Sequence, residues 1–216
     1  MKKILLIIIA VFSLNVAFGQ LASWQLTSNG NPNGVSANVS AGNFSRGSGI
    51  NSISYGSKGA YANNWWMNSS GPGTNYYFQV SLTPDVGYTI NISDINFGER
   101  RSGSGIGKYK VEWSINSDFS NYHVIATVNV PDNKAERTGD LSGLNIDVPD
   151  GSTIYIRWYG YAAESTGGTW RINDNTLNIQ GTVAAAASGP QSPTSLTAAC
   201  AIEGEIKVTW TKPVGT

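Results

Sequence analysis

In STIYIRWYGY, residues 152–161, Tyr155, Arg157, Tyr159 and Tyr161 recur at every second position. An extended strand puts all four on one face. Tyrosine rings beside a guanidinium can stack on sugar rings while phenol and N–H groups bond to hydroxyls. The competing reading is a central strand whose second face is covered by a loop or by neighbouring packing. NNWW (63–66) poses the same choice. One tryptophan is expected to anchor the core and the other, Trp66, to face outward as a contact residue. Tyr155, Arg157, Tyr159, Tyr161 and Trp66 are therefore the candidate ligand-binding residues, for a glycan or another cell-surface polymer.

Catalytic chemistry finds little support. His123 is the one histidine and carries no GxSxG elbow or triad context. One histidine and the single Cys200 cannot make an ordinary catalytic zinc site. The acidic residues, among them Asp85, Asp94, Glu99, Glu112, Asp147, Asp150, Glu164 and Asp174, fall mostly at turns, and none pair by sequence as a glycosidase dyad. GSGIGK (103–108) fails as a phosphate loop: Ser102 and Tyr109 stand where glycine and Ser/Thr are required. ERRSGSGIGKY reads instead as a flexible connection between strands. No cofactor is expected except a structural calcium ion, for which Asp147 with Asp150, or Asp174 with a neighbouring loop, are the weak candidates.

Alternation must position these residues. Tyr76, Phe78, Val80 and Leu82 share a phase, as do Tyr109, Val111, Trp113 and Ile115. Tyr122, Val124, Ala126, Val128 and Val130 form a third such set, with His123 and Ile125 facing away. Ile154, Ile156, Trp158 and Gly160 form a fourth. Each predicts a strand with one buried face. Weaker strands are expected at 24–26, 35–39, 50–55, 88–97 and 144–148. Turn clusters such as SNGNPNG and SSGPG separate them, and no sustained helical period appears. The expected fold is all-β: an antiparallel β-sandwich, jelly-roll-like, with a closed up-and-down barrel as the alternative. In GTWRINDNTLNIQG (168–181), Trp170 and Ile172 are out of phase with Leu177 and Ile179. One extra residue within 173–176, a β-bulge, would restore the register.

The N-terminus reads as a secretory signal peptide over 1–19: Lys2 and Lys3, a short apolar run, then Ala17-Phe18-Gly19 before a cut at Gln20. Without Lys2 and Lys3, twelve basic residues face 14 acidic ones, a net of −2. That offers no footprint for nucleic acid. No later segment is long and apolar enough to span a membrane. Only 13% of residues are charged and 11% are aromatic, a palette suited to strands and tight turns. The sandwich domain is expected over 20–183, a linker over 184–193 (AAAASGPQSP), and a truncated fibronectin type III start over 194–216. That tail is expected to form at most a loosely docked hairpin. Cys200, in phase with Leu196, Ala198 and Ile202, is expected to be a buried apolar residue. The module is expected to be monomeric.

LTSNGNPNGVSANVSAGNFSRGSG, NFGERRSGSGIGKYKVEWS, AERTGDLSGL and IRWYGYAAESTGGTWRINDNTLNIQGTV, followed by the type III start, carry a resemblance. The chain resembles, over about residues 24–183, a β-sandwich module of secreted multidomain proteins of Bacteroidetes. Such modules commonly precede fibronectin type III or lamin-tail domains, sometimes beside extracellular nuclease or other hydrolase domains. Many of those proteins end in a type IX secretion sorting domain. The resemblance implies an extracellular, non-catalytic module. Many relatives read Arg-Ile-Asp where this chain has Arg171-Ile172-Asn173, which weakens a metal role at 173. The leading expectation is an adhesive or carbohydrate-binding accessory module of a larger secreted protein. The rivals are the N-terminal part of a secreted hydrolase, a nuclease or glycosidase with its catalytic domain beyond residue 216, and a passive spacer.

Overall fold

A computed structural model describes residues 19–187 and, beyond them, the backbone of two further strands. The strands of the first unit are β1 (Gly19–Trp24), β2 (Pro32–Val35), β3 (Val39–Ala41), β4 (Ser45–Arg46), β5 (Ser54–Gly56), β6 (Gly59–Ala62), β7 (Tyr77–Pro84), β8 (Tyr88–Arg101), β9 (Lys108–Ser114), β10 (His123–Asn129), β11 (Arg137–Leu141), β12 (Ile146–Val148), β13 (Ile154–Tyr161), β14 (Trp170–Asn173) and β15 (Leu177–Ala185). All their pairings are antiparallel. One sheet runs β2-β1-β15-β8-β14-β6-β5, with β11 and β12 also on β8. The other runs β10-β9-β13-β7-β3, with β4 on β7. The chain passes from one sheet to the other between β7, β8 and β9, and again between β12, β13 and β14. This is the expected antiparallel sandwich; neither sheet is a closed barrel.

The alternation explains the core. β7 turns Phe78, Val80 and Leu82 inward, directly beside Trp158, Ile156 and Ile154 of β13. Across the sandwich, Trp158 meets Phe97 edge-on at 5.7 Å, and Phe78 stacks on Trp170 at 5.7 Å. Trp65 wedges edge-on against both Phe78 and Trp170. Burying each such side chain contributes roughly 1.5–3 kcal/mol. These aromatics therefore lock the two sheets face to face.

At one end of the core the buried groups are charged. Glu99 accepts from Arg137, including Nη2 at 3.1 Å, and from Trp170 Nε1 at 2.8 Å. Full pairing is what makes a buried carboxylate tolerable. Burial, and secondarily the Glu99 charge, push the neighbouring Tyr109 phenol up to about 12. Arg101, 2% exposed, donates to the carbonyls of Ser102 and Gly103 and to Glu164.

Four expectations need correction. The loop after β8 is a hydrogen-bonded seam rather than a free connection. Ser102 N donates to Thr169 O, Gly107 N lies within reach of the Tyr161 and Ala162 carbonyls, and Ile106 is fully buried. In β10 the register against β9 shifts between Val124 and Ala126. Tyr122 and Val124 are consequently half exposed, whereas Ile125 packs on the core, the reverse of the simple alternation. Ile115, placed with Val111 by its phase, lies past the end of β9 and is 49% exposed. The kink in GTWRINDNTLNIQG exists but inserts three residues rather than one: Ile172 lies opposite Glu99, and Asn178 opposite Asn96. Asn175 takes a left-handed φ of 54°, and Trp170, Ile172, Leu177 and Ile179 all stay buried. β6 and β11 were not marked by alternation at all.

The first unit ends at Ala185, so Ala184 and Ala185 belong to β15. In the second unit β16 (Leu196–Ile202) pairs antiparallel with β17 (Glu205–Trp210) as a hairpin. Residues 1–18 of the expected 1–19 signal peptide, residues 188–193 of the expected linker and the surroundings of the Cys200 side chain lie outside the described residues.

Candidate functional site

The outer face of the six-stranded sheet is a grid fixed by strand register. Tyr77, Tyr159 and Lys110 form one row across β7, β13 and β9, and Gln79, Arg157 and Glu112 form the next. The loop between β9 and β10 folds over this grid. Its polar turn is self-supporting: Phe119 N donates to Asn116 O, Asn116 N to Ser114 Oγ at 2.9 Å, and Ser120 N to Asp118 Oδ1 at 3.0 Å. The last of these bonds holds the Asp118 carboxyl below its ordinary range. Phe119 adopts a left-handed φ of 55° that turns its ring down onto the sheet.

Arg157 is the hub. Its guanidinium carbon lies 4.0 Å from the Tyr77 ring centre and 3.7 Å from that of Phe119. Nε donates to Gln79 Oε1 at 2.7 Å, Nη1 to the Tyr159 hydroxyl at 3.2 Å, and Nη2 to Ser117 O at 2.9 Å. Such a guanidinium, flanked by rings and tethered on three nitrogens, is a rigid floor rather than a mobile arm. Beside it Lys110 Nζ sits 3.3 Å from Glu112 Oε1. Burial pushes the Glu112 carboxyl up, while Lys110 and Arg157 pull it back down. Burial likewise raises the Tyr159 phenol, opposed by its bond from Arg157.

Between this floor and the loop lies a cleft of about 470 Å³. Pro72, Thr74 and Asn75 close one side, and Asp118, Phe119 and Tyr122 the other. The lining carries two cations, Lys110 and Arg157, and two carboxylates, Glu112 and Asp118. Tyr122 is 49% exposed and leaves a ring available to a ligand. An opening of this size, part aromatic and part polar, fits a polyhydroxylated molecule.

The structure gathers only part of the candidate set here. Arg157 and Tyr159 line the cleft but are 8% and 5% exposed, so the face is largely covered by the loop. Tyr155 and Tyr161 are not among the cleft lining. Trp65 is the core anchor; Trp66 is half-buried, 5.0 Å from the Tyr76 ring and outside the cleft. Sequence reading missed Lys110, Glu112, Phe119 and Tyr122. The signal was present in the polar phase of KYKVEWS and in aromatics set within the polar turn NSDFSNY.

The metal candidates stand apart in their bonding. Asp147 accepts from Asn91 Nδ2 at 2.8 Å, Asp150 from Gly87 N at 3.1 Å, and Asp174 from Asn175 Nδ2 at 3.4 Å. Among the described residues no three His, Cys, Asp or Glu side chains group to hold a metal ion. His123 stacks on Trp113 at 4.4 Å. Among the described residues no helix is long and apolar enough to cross a membrane.

No family model and no curated protein matches the chain. Among solved structures it is similar to a family 29 carbohydrate-binding module, with 18% identity over 76% of this chain and 90% of that one, at a TM-score of 0.43. A mutant of such a module complexed with cellulohexaose gives 17% identity, the same coverages and a TM-score of 0.40. Another, complexed with mannohexaose, gives 18% identity over 76% and 93% at 0.42.

Proposed function

We propose that this chain is a non-catalytic extracellular module that binds a neutral glycan in the cleft over β9, β13 and β7. The observation that supports it is the cleft's composition: a rigid Arg157 floor, the exposed Tyr122 ring, and two cations balanced by two carboxylates. Balanced charge favours a ligand with many hydroxyls and no net charge, because each polar group finds a partner without leaving an ion unpaired. The extracellular setting is supported by the leader-like residues 1–19, and the place before a fibronectin type III domain by the PTSLTAACAIEGEIKVTW pattern and the resemblance it completes.

Titration calorimetry of the chain with cellohexaose, mannohexaose and xylohexaose tests this reading. At least one should bind saturably, and Tyr122→Ala should weaken it about tenfold, the equivalent of one stacking contact of about 1.4 kcal/mol. If all three fail to bind, or Tyr122→Ala changes nothing, the reading fails and the spacer role gains ground.

A further inference from the structure

A second cleft lies on the outer face of the other sheet. Arg171 of β14 stands directly beside Tyr61 of β6 and Arg100 of β8. Their neighbours in sequence, Ala60 and Ala62, Trp170 and Ile172, Glu99 and Arg101, are buried, so this row points outward. With Ser102, Gly103, Lys134 and Thr169 it encloses about 320 Å³.

The charges here are not balanced in the way of the first cleft. Arg101 is engaged by Glu164 and Asp132, and Arg171 by Glu136 at 2.6 Å and Asn173 Oδ1 at 2.9 Å. These partners fix the two guanidinium groups in place. Arg100 and Lys134 make no ion pair among the described residues. Two unpaired cations thus share a concave site with the Tyr61 ring, which is 42% exposed. A bare inorganic anion would leave that ring unused, and double-stranded DNA presents a charge about every 1.7 Å of helix axis, far more than two cations can match.

We propose that this cleft is a second ligand site, which takes an oxyanion carried on a sugar ring: a uronate carboxylate or a sulfate ester. The anion sits between Arg100 and Lys134, and the ring lies against Tyr61. The site does not depend on the first cleft.

The test is titration of the chain with trigalacturonate, a carrageenan tetrasaccharide, cellohexaose and a single-stranded deoxyoligonucleotide. One acidic oligosaccharide should bind, and which one does tells carboxylate from sulfate. The Arg100→Gln/Lys134→Gln variant should lose at least about tenfold in that affinity, since charge-assisted contacts carry it. Tyr122→Ala should leave it unchanged, and raised salt should weaken it. Lys134→Gln alone, at an exposed loop position, should show part of the loss and guards against misfolding of the double variant. The proposal is overturned if neither acidic oligosaccharide binds, if both variants bind as the parent does, if Tyr122→Ala weakens this binding too, or if the oligonucleotide binds as tightly through the same residues.

Discussion

The Phe119 ring centre lies 3.7 Å from the guanidinium carbon of Arg157, closing from above a stack whose other side is Tyr77. The loop tip holds this pose through a left-handed φ, which costs a non-glycine residue of order 1 kcal/mol. The contact with Arg157 and the burial of the ring offset that strain. Phe119→Leu keeps apolar bulk but removes the ring face. It should lower stability by about 0.5–2 kcal/mol and weaken glycan binding at the first cleft, because the loop wall is no longer clamped to its floor. Urea midpoints and calorimetry on the same preparation check both effects.

Glu112 gives a pH dependence of definite sign. Burial raises its folded-state carboxyl above the ordinary value of 4.5. Across the window from that value up to the raised one, the folded state holds more proton than the unfolded state. Its contribution to stability is therefore greatest at low pH and falls as pH rises through the window. Glu112→Gln should remove this decline. Thermal midpoints of parent and variant from acid to neutral pH should diverge upward in favour of the variant; parallel curves would contradict the assignment.

Thr176 carries the kink between β14 and β15. Its hydroxyl accepts from Gly98 N at 2.7 Å and donates to Asn173 O at 2.8 Å, filling the ladder position that the three extra residues vacate. Thr176→Val keeps the shape and orphans both groups, so it should cost about 1–3 kcal/mol. Thr176→Ser should cost much less. Chemical denaturation of the pair separates the hydroxyl from the methyl.

For calcium, the bonding of the three aspartates predicts little response. Asp147 and Asp150 answer to separate donors, Asn91 and Gly87, and among the described residues no group of three His, Cys, Asp or Glu side chains joins them. The thermal midpoint should be the same with chelator as with added calcium. A rise of several degrees with calcium would mean that these carboxylates converge on an ion.

The sandwich was legible because Phe78–Leu82 and Ile154–Trp158 alternate cleanly, and burial on one face demands that pattern. The out-of-phase pairs Trp170/Ile172 and Leu177/Ile179 revealed the kink as well. Its size was not legible, since one or three inserted residues restore the same parity. β10 misled because a register shift inside it swaps the faces of Val124 and Ile125. β11, RTGDL, has almost no apolar phase; its place is set by Arg137 reaching Glu99, a contact between residues far apart in sequence. For the site, the Arg157 face was visible, but the loop that covers it was not. Only the fold brings Phe119 and Tyr122 over β13, leaving Tyr155 and Tyr161 outside the cleft.

The most direct test of the central claim is NMR mapping of the bound hexasaccharide on the isotopically labelled chain. The expected result is a set of amide shifts confined to 72–77, 110–112, 117–122 and 157–159, with the Arg157 side-chain Nε–H signal moving in step. Shifts centred elsewhere, or none at saturating glycan, would contradict the placement of the ligand in this cleft.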